Sequence, residues 1–121
     1  MNTLLWAAQV ALAVTFLAHG LLFLFPLEAV RKIKRQSPLP EGFMRFVYVA
    51  EVLAAFGLTL PALTGLFPWL TVLAAAGLAS IMVGAAALHL SRRETSSTVV
   101  TTMLLALAVL VTYSRLFVVP L

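Results

Sequence analysis

The chain of 121 residues contains no cysteine. It can therefore form no disulfide and carry no thiol chemistry, which excludes the quinone-linked thiol oxidoreductases that also use small helix bundles. Charge is scarce too: Asp, Glu, Lys and Arg make up only 10% of the residues, against about 25% in an ordinary soluble domain, while 63% are hydrophobic. There is no glycine-rich phosphate loop, and no cluster of ligating side chains suggests zinc or another metal. The net charge of +4 does not point to nucleic acid, because the basic residues gather at helix ends instead of along one polar face.

What is present is apolar length. Four runs, about 3–25, 43–60, 69–90 and 99–119, are each long enough to cross a hydrocarbon core of about 30 Å as a helix. The expected fold is all-α: an up-and-down bundle of four transmembrane helices forming one integral membrane domain over residues 1–121, with the lipid bilayer as its surroundings. The first run is too long for a signal-peptide core and follows no basic region, so it reads as a span.

Two loops carry the positive charge. Arg31, Lys32, Lys34 and Arg35 lie between the first two spans, Arg92 and Arg93 between the last two, and Arg45 brings the total at that side to seven of eight basic residues. The positive-inside rule makes this the cytoplasmic side, with both termini outside, as in a multi-pass protein of a bacterial inner membrane. Residues 27 to 36 are expected to form a short amphipathic segment on the inner surface, with Val30 and Ile33 toward lipid and the four basic residues toward anionic headgroups. Trp6, Trp69 and Tyr113 mark the opposite boundary, and Pro61 and Pro68 bracket a tight turn there. Small residues at helical spacing, Ala50, Ala54 and Gly57 in the second span and Ala76, Ser80 and Gly84 in the third, form stripes suited to close backbone approach.

The chemistry rests on a few polar residues inside these runs. Glu51 stands in the middle of the second span, where an isolated ionised carboxylate costs several kcal/mol. Counting about 1.5 Å per residue places Glu51 roughly 12 Å and His19 roughly 9 Å from the inner boundary, a shared depth at which the histidine can donate to the carboxylate. Tyr48 lies about one turn before Glu51 on the same face, and His89 stands near the inner end of the third span. Arg115 enters from the outer end of the fourth, where it can snorkel outward or turn in as a second partner for Glu51. Gln9 reads as a packing residue. The candidate ligand-binding or proton-relay residues are thus Glu51, His19, His89, Arg115 and Tyr48, and no spacing among them is a catalytic signature. His19 and His89 differ in depth by roughly 7 Å, which disfavours a haem clamped between them.

The stretch EVLAAFGLTLPALTGLFPWLTVLAAAGLASIMVGAAALHLSRRE (51 to 94) resembles the DoxX-like family of small four-helix membrane proteins. The shared features are a glutamate before a run of small residues, Leu-Pro, a Thr-Gly turn, Pro-Trp-Leu, an alanine- and glycine-rich helix, and a histidine followed by basic residues. The resemblance implies a four-helix bundle, a part in membrane redox or stress-response complexes, and a shared interest in Glu51, His89 and Arg115; His19 is inferred from depth alone.

Three functional expectations follow. The first is an intramembrane polar pocket that binds a lipophilic molecule, a quinone or a lipid, without an intrinsic cofactor, in company with a membrane-protein partner or further copies of the chain. The second is a proton-coupled transporter of the small multidrug type, against which stand the glutamate's place in the second helix and the one-sided charge bias. The third is a ligand-free structural or assembly subunit held by its small-residue stripes.

Overall fold

The computed structural model describes residues 2–35 and 38–118. Five α-helices follow in order: α1 (Asn2–Leu24), α2 (Glu28–Arg35), α3 (Glu41–Thr64), α4 (Trp69–Ser91) and α5 (Thr95–Tyr113), the last continuing into a π-helical turn, Ser114–Val118. Four of these segments are 23 or 24 residues long and apolar, counting α5 with its final turn. At about 1.5 Å per residue each spans roughly 35 Å, enough to cross a bilayer. Helix α1 packs on α3, α3 on α4 and α4 on α5, and α5 closes the ring against α1. The result is a four-helix bundle with both described ends at one side.

The bundle is apolar inside and out. Leu12, Phe16, Ala55, Leu58, Ala75, Leu78, Met82, Ala108 and Val111 form the core. Leu4, Val14, Leu53, Leu63, Leu73, Val83 and Val100 lie exposed on the outer surface. Such a surface is costly in water and neutral in acyl chains, so the chain is an integral, multi-pass membrane protein.

The observed bounds differ from the expected ones where local hydrogen bonding overrides composition. The second span runs on to Thr64 because Pro61 lies within α3 instead of ending it. A proline at this position withholds the N–H that would meet the carbonyl of Gly57 four residues earlier. The Thr71 hydroxyl, on α4, donates to that carbonyl at 3.0 Å. Gln9 of α1 donates from Nε2 to the next carbonyl, that of Leu58, at 2.8 Å, so the weakened turn is held from both neighbours. The helix then stops at Gly65, whose φ of 74° suits a residue without a Cβ and whose N–H returns to the Pro61 carbonyl.

The fourth span begins at Thr95, before the apolar run, since Thr98, Thr101 and Thr102 turn their hydroxyls back onto carbonyls of the preceding turn and so match their own polarity to the helix. Its expected end at residue 119 lies outside the described residues. The short surface segment is present as α2, although residue 36, its expected end, is likewise outside them. Within α2, Lys34 does not reach outward: its Nζ donates to the Phe23 carbonyl at 2.7 Å, capping the C-terminal end of α1.

The expected small-residue stripes divide. Gly57 lies against α4, where an added Cβ would stand 2.9 Å from that of Ala74. On α4, by contrast, Ser80 and Gly84 face outward, because the inward face is set by Thr71, Ala75, Leu78 and Met82. That α4 stripe does not bring helices of this bundle together. Replacing Thr71 by valine keeps the side-chain shape but strips the Gly57 carbonyl of its donor. A loss of about 1–3 kcal/mol in stability is expected, read as a lower unfolding midpoint in detergent, and an unchanged midpoint would mean that the proline turn is satisfied by other means.

Candidate functional site

Gly20 fixes how closely α1 and α3 approach. A Cβ at this position would lie 2.9 Å from the Tyr48 carbonyl and 2.7 Å from Cγ2 of Val52, so only glycine allows the two backbones to meet here. Because the helices are antiparallel, this contact sets the neighbouring His19 opposite Glu51. Nδ1 of His19 lies 2.7 Å from Oε2 of Glu51, a hydrogen bond through which one proton joins the two side chains.

The two partners are buried very differently. The Glu51 side chain is 3% exposed and that of His19 46%. The imidazole therefore shields the carboxylate and presents its other edge outward, and among the described residues Nε2 of His19 has no hydrogen-bond partner. Phe23 stacks on the imidazole at 4.4 Å between centroids, and Tyr48 meets it edge-on at 6.0 Å. Phe23 and Tyr48 also touch, at 5.1 Å, so that an aromatic wall closes the side of the pair that faces α2. Lys34 stands over this wall, its Nζ 5.6 Å from the centre of the Tyr48 ring. Beyond Tyr48, between α2 and the start of α3, opens a cleft of about 340 Å³.

The remaining sequence candidates lie elsewhere. His89 turns to the loop after α4, where Nδ1 meets Oε1 of Glu94 at 3.0 Å. Arg115 does not pair with Glu51. It follows Ala108 and Val111 on the inward face of the last span and lies buried at the far end of the bundle. There Nε donates to Oε1 of Gln9 and Nη1 to Oδ1 of Asn2, each at 2.7 Å, with the guanidinium 5.9 Å from the centre of the Trp6 ring. Gln9 is thus more than a packing residue: it accepts from Arg115 and donates to the Leu58 carbonyl, tying α1, α3 and the last span together. Sequence reasoning passed over Asn2 and took Gln9 for packing alone. Counting depth from the outer boundary, as was done for His19 and Glu51 from the inner one, would have matched them to Arg115.

The polar groups therefore form three separate centres: His19–Glu51 in the half of the bundle nearer α2, His89–Glu94 at the α4–α5 loop and Arg115–Gln9–Asn2 at the opposite end. Among the described residues no group of three or more His, Asp or Glu side chains could hold a metal ion.

Glu94 lies outside the membrane segments, and the hydrogen bond from His89 holds its carboxyl below the usual glutamate value; desolvation opposes this, and the positive charge of Arg92 adds to it. Since the folded value is the lower one, this contact contributes fully above the ordinary glutamate range and is lost as pH falls through the lowered value. Glu94→Gln is expected to lower the unfolding midpoint at neutral pH, with the gap to the parent protein closing in acid. A gap that stays constant with pH would show that the carboxylate is not the stabilising species.

Among known proteins, the sequence profile of the DoxX-like family matches residues 7–111. No curated protein and no solved structure gives a significant match. The matched region takes in all of the fold from the first turns of α1 to the last turns of α5, and with it His19, Tyr48, Glu51 and His89; this four-span membrane protein belongs to the DoxX-like family.

Proposed function

We propose that the protein binds a lipophilic molecule with a carbonyl or hydroxyl headgroup, a quinone or a neutral lipid, at the outward edge of His19, and that it serves a membrane redox or stress-response complex in a bacterial inner membrane with both termini outside the cytoplasm. The carrying observation is the unequal burial of the pair. A carboxylate 3% exposed holds by Nδ1 a histidine whose other edge is open. In hydrocarbon an unmatched polar nitrogen is unfavourable by several kcal/mol, and an oxygen carried in by a membrane-soluble ligand relieves it.

The chemistry follows from the tautomers. When Nδ1–H donates to Glu51, Nε2 is an acceptor and suits a hydroxyl; with a second proton on the ring, Nε2–H donates and suits a carbonyl. Glu51 stabilises the imidazolium in that second state. The pair can thus hydrogen-bond either form of such a headgroup according to its own protonation, without itself supplying the electrons that interconvert them, and the stacked Phe23 and the edge of Tyr48 offer a flat ring an apolar neighbour. The orientation is supported by the basic residues of α2 and of the α4–α5 loop, which share one end of the bundle.

Glu51→Gln keeps a hydrogen-bonding side chain but removes the charge that supports imidazolium. It is expected to leave the protein folded and inserted while weakening binding of a short-chain benzoquinone by about tenfold or more, equivalent to roughly 1.4 kcal/mol. His19→Ala should abolish that binding. Undiminished binding in both variants would remove the pair from the site.

A further inference from the structure

The cleft beyond Tyr48 has a chemistry of its own. Its α2 wall carries Arg31, Lys34 and Arg35, and its α3 wall carries Glu41, Met44 and Tyr48. Arg31 and Arg35 are one helical turn apart and share a face. Their carboxylate neighbour is Glu28, yet the separations of 3.9 and 3.7 Å are longer than hydrogen bonds, and all three side chains are well exposed. Glu41, the acid on the rim, has Arg45 at 3.8 Å, a basic residue outside the cleft lining. Lys34 is held at the Phe23 carbonyl and adds positive charge without leaving its post.

We infer that this cleft binds the phosphate of an anionic phospholipid. Two guanidinium groups on one face match a phosphodiester, since each can donate two parallel N–H bonds to its oxygens. The level is right as well: α2 follows directly on the inner end of α1 and lies beside the start of α3, where a bilayer places its headgroups. The thioether of Met44 and the ring of Tyr48 supply an apolar side for the glycerol and upper acyl chain, which a free phosphate ion would not use. The inference stands apart from the His19 reading, because none of the residues that would grip the phosphate touches His19 or Glu51 directly.

Native mass spectrometry of the full chain released from a neutral detergent tests it, with phosphatidylglycerol and phosphatidylcholine as probes. One phosphatidylglycerol is expected to remain per chain, and phosphatidylcholine to bind more weakly. Arg31→Gln with Arg35→Gln should weaken retention of phosphatidylglycerol by about tenfold or more, from the loss of the guanidinium hydrogen bonds to the phosphate, whereas Lys32→Gln with Arg93→Gln, equal in charge but away from this cleft, should not. Met44→Trp, which fills the cleft without altering charge, should also reduce retention. Equal losses in the two double variants would mean diffuse surface attraction and overturn the site, as would full retention in Met44→Trp. Displacement of the lipid by millimolar inorganic phosphate would assign the cleft to a soluble anion instead.

Discussion

A carboxylate withdrawn into a bundle that lies in hydrocarbon must have a proton or a donor beside it, and much of this structure follows from how Glu51 obtains one. The partner is on another helix, so α1 and α3 must approach to within hydrogen-bond distance of His19 and Glu51. That approach requires Gly20, beside which the Tyr48 carbonyl and Val52 leave no room for a Cβ. A short apolar residue at position 51 would remove the requirement altogether and pack at less cost. The polar pair is therefore better understood as something the fold accommodates than as something it needs for stability.

A similar economy governs the other polar contacts. Backbone groups freed inside a membrane have no water to turn to, and here they are met by side chains from adjacent helices. Thr71 answers the carbonyl that Pro61 leaves vacant, Gln9 binds its neighbour and Lys34 caps the end of α1. Each such bond crosses from one helix to the next, so it fixes rotation and depth as well as satisfying a polar atom. The end that carries Asn2 is locked by Arg115 through Gln9 and Asn2, the opposite end by His89 through Glu94. Between them His19 combines a fixed orientation with an open edge.

Much of this was legible in the sequence because a membrane reduces position to a single coordinate. Depth counted along straight helices places His19 and Glu51 together, hydropathy gives the four spans, and the spacing of Val30 and Ile33 among basic residues gives α2. What was not legible depended on rotation and on contacts distant in sequence. The stripe of Ala76, Ser80 and Gly84 has the spacing of a contact face, but Ser80 and Gly84 point outward, since the side of a nearly uniform apolar helix that faces its neighbours is set by packing and not by pattern. Pro61 read as a helix end because the hydroxyl that rescues its missing bond comes from the following span. Arg115 was assigned to Glu51 as an alternative because charge complementarity ignores depth, and its true partners stand over a hundred residues away at its own level.

The central claim is that His19 and Glu51 form one hydrogen-bonded unit within the membrane. Its most direct test is a solid-state NMR distance between the ring Nδ1 of His19 and the carboxyl carbon of Glu51, measured in lipid bilayers on the intact chain. A hydrogen bond of 2.7 Å from nitrogen to oxygen predicts a nitrogen-to-carbon separation of about 3.5 Å. A separation beyond about 6 Å, too long for a direct hydrogen bond, would contradict the account.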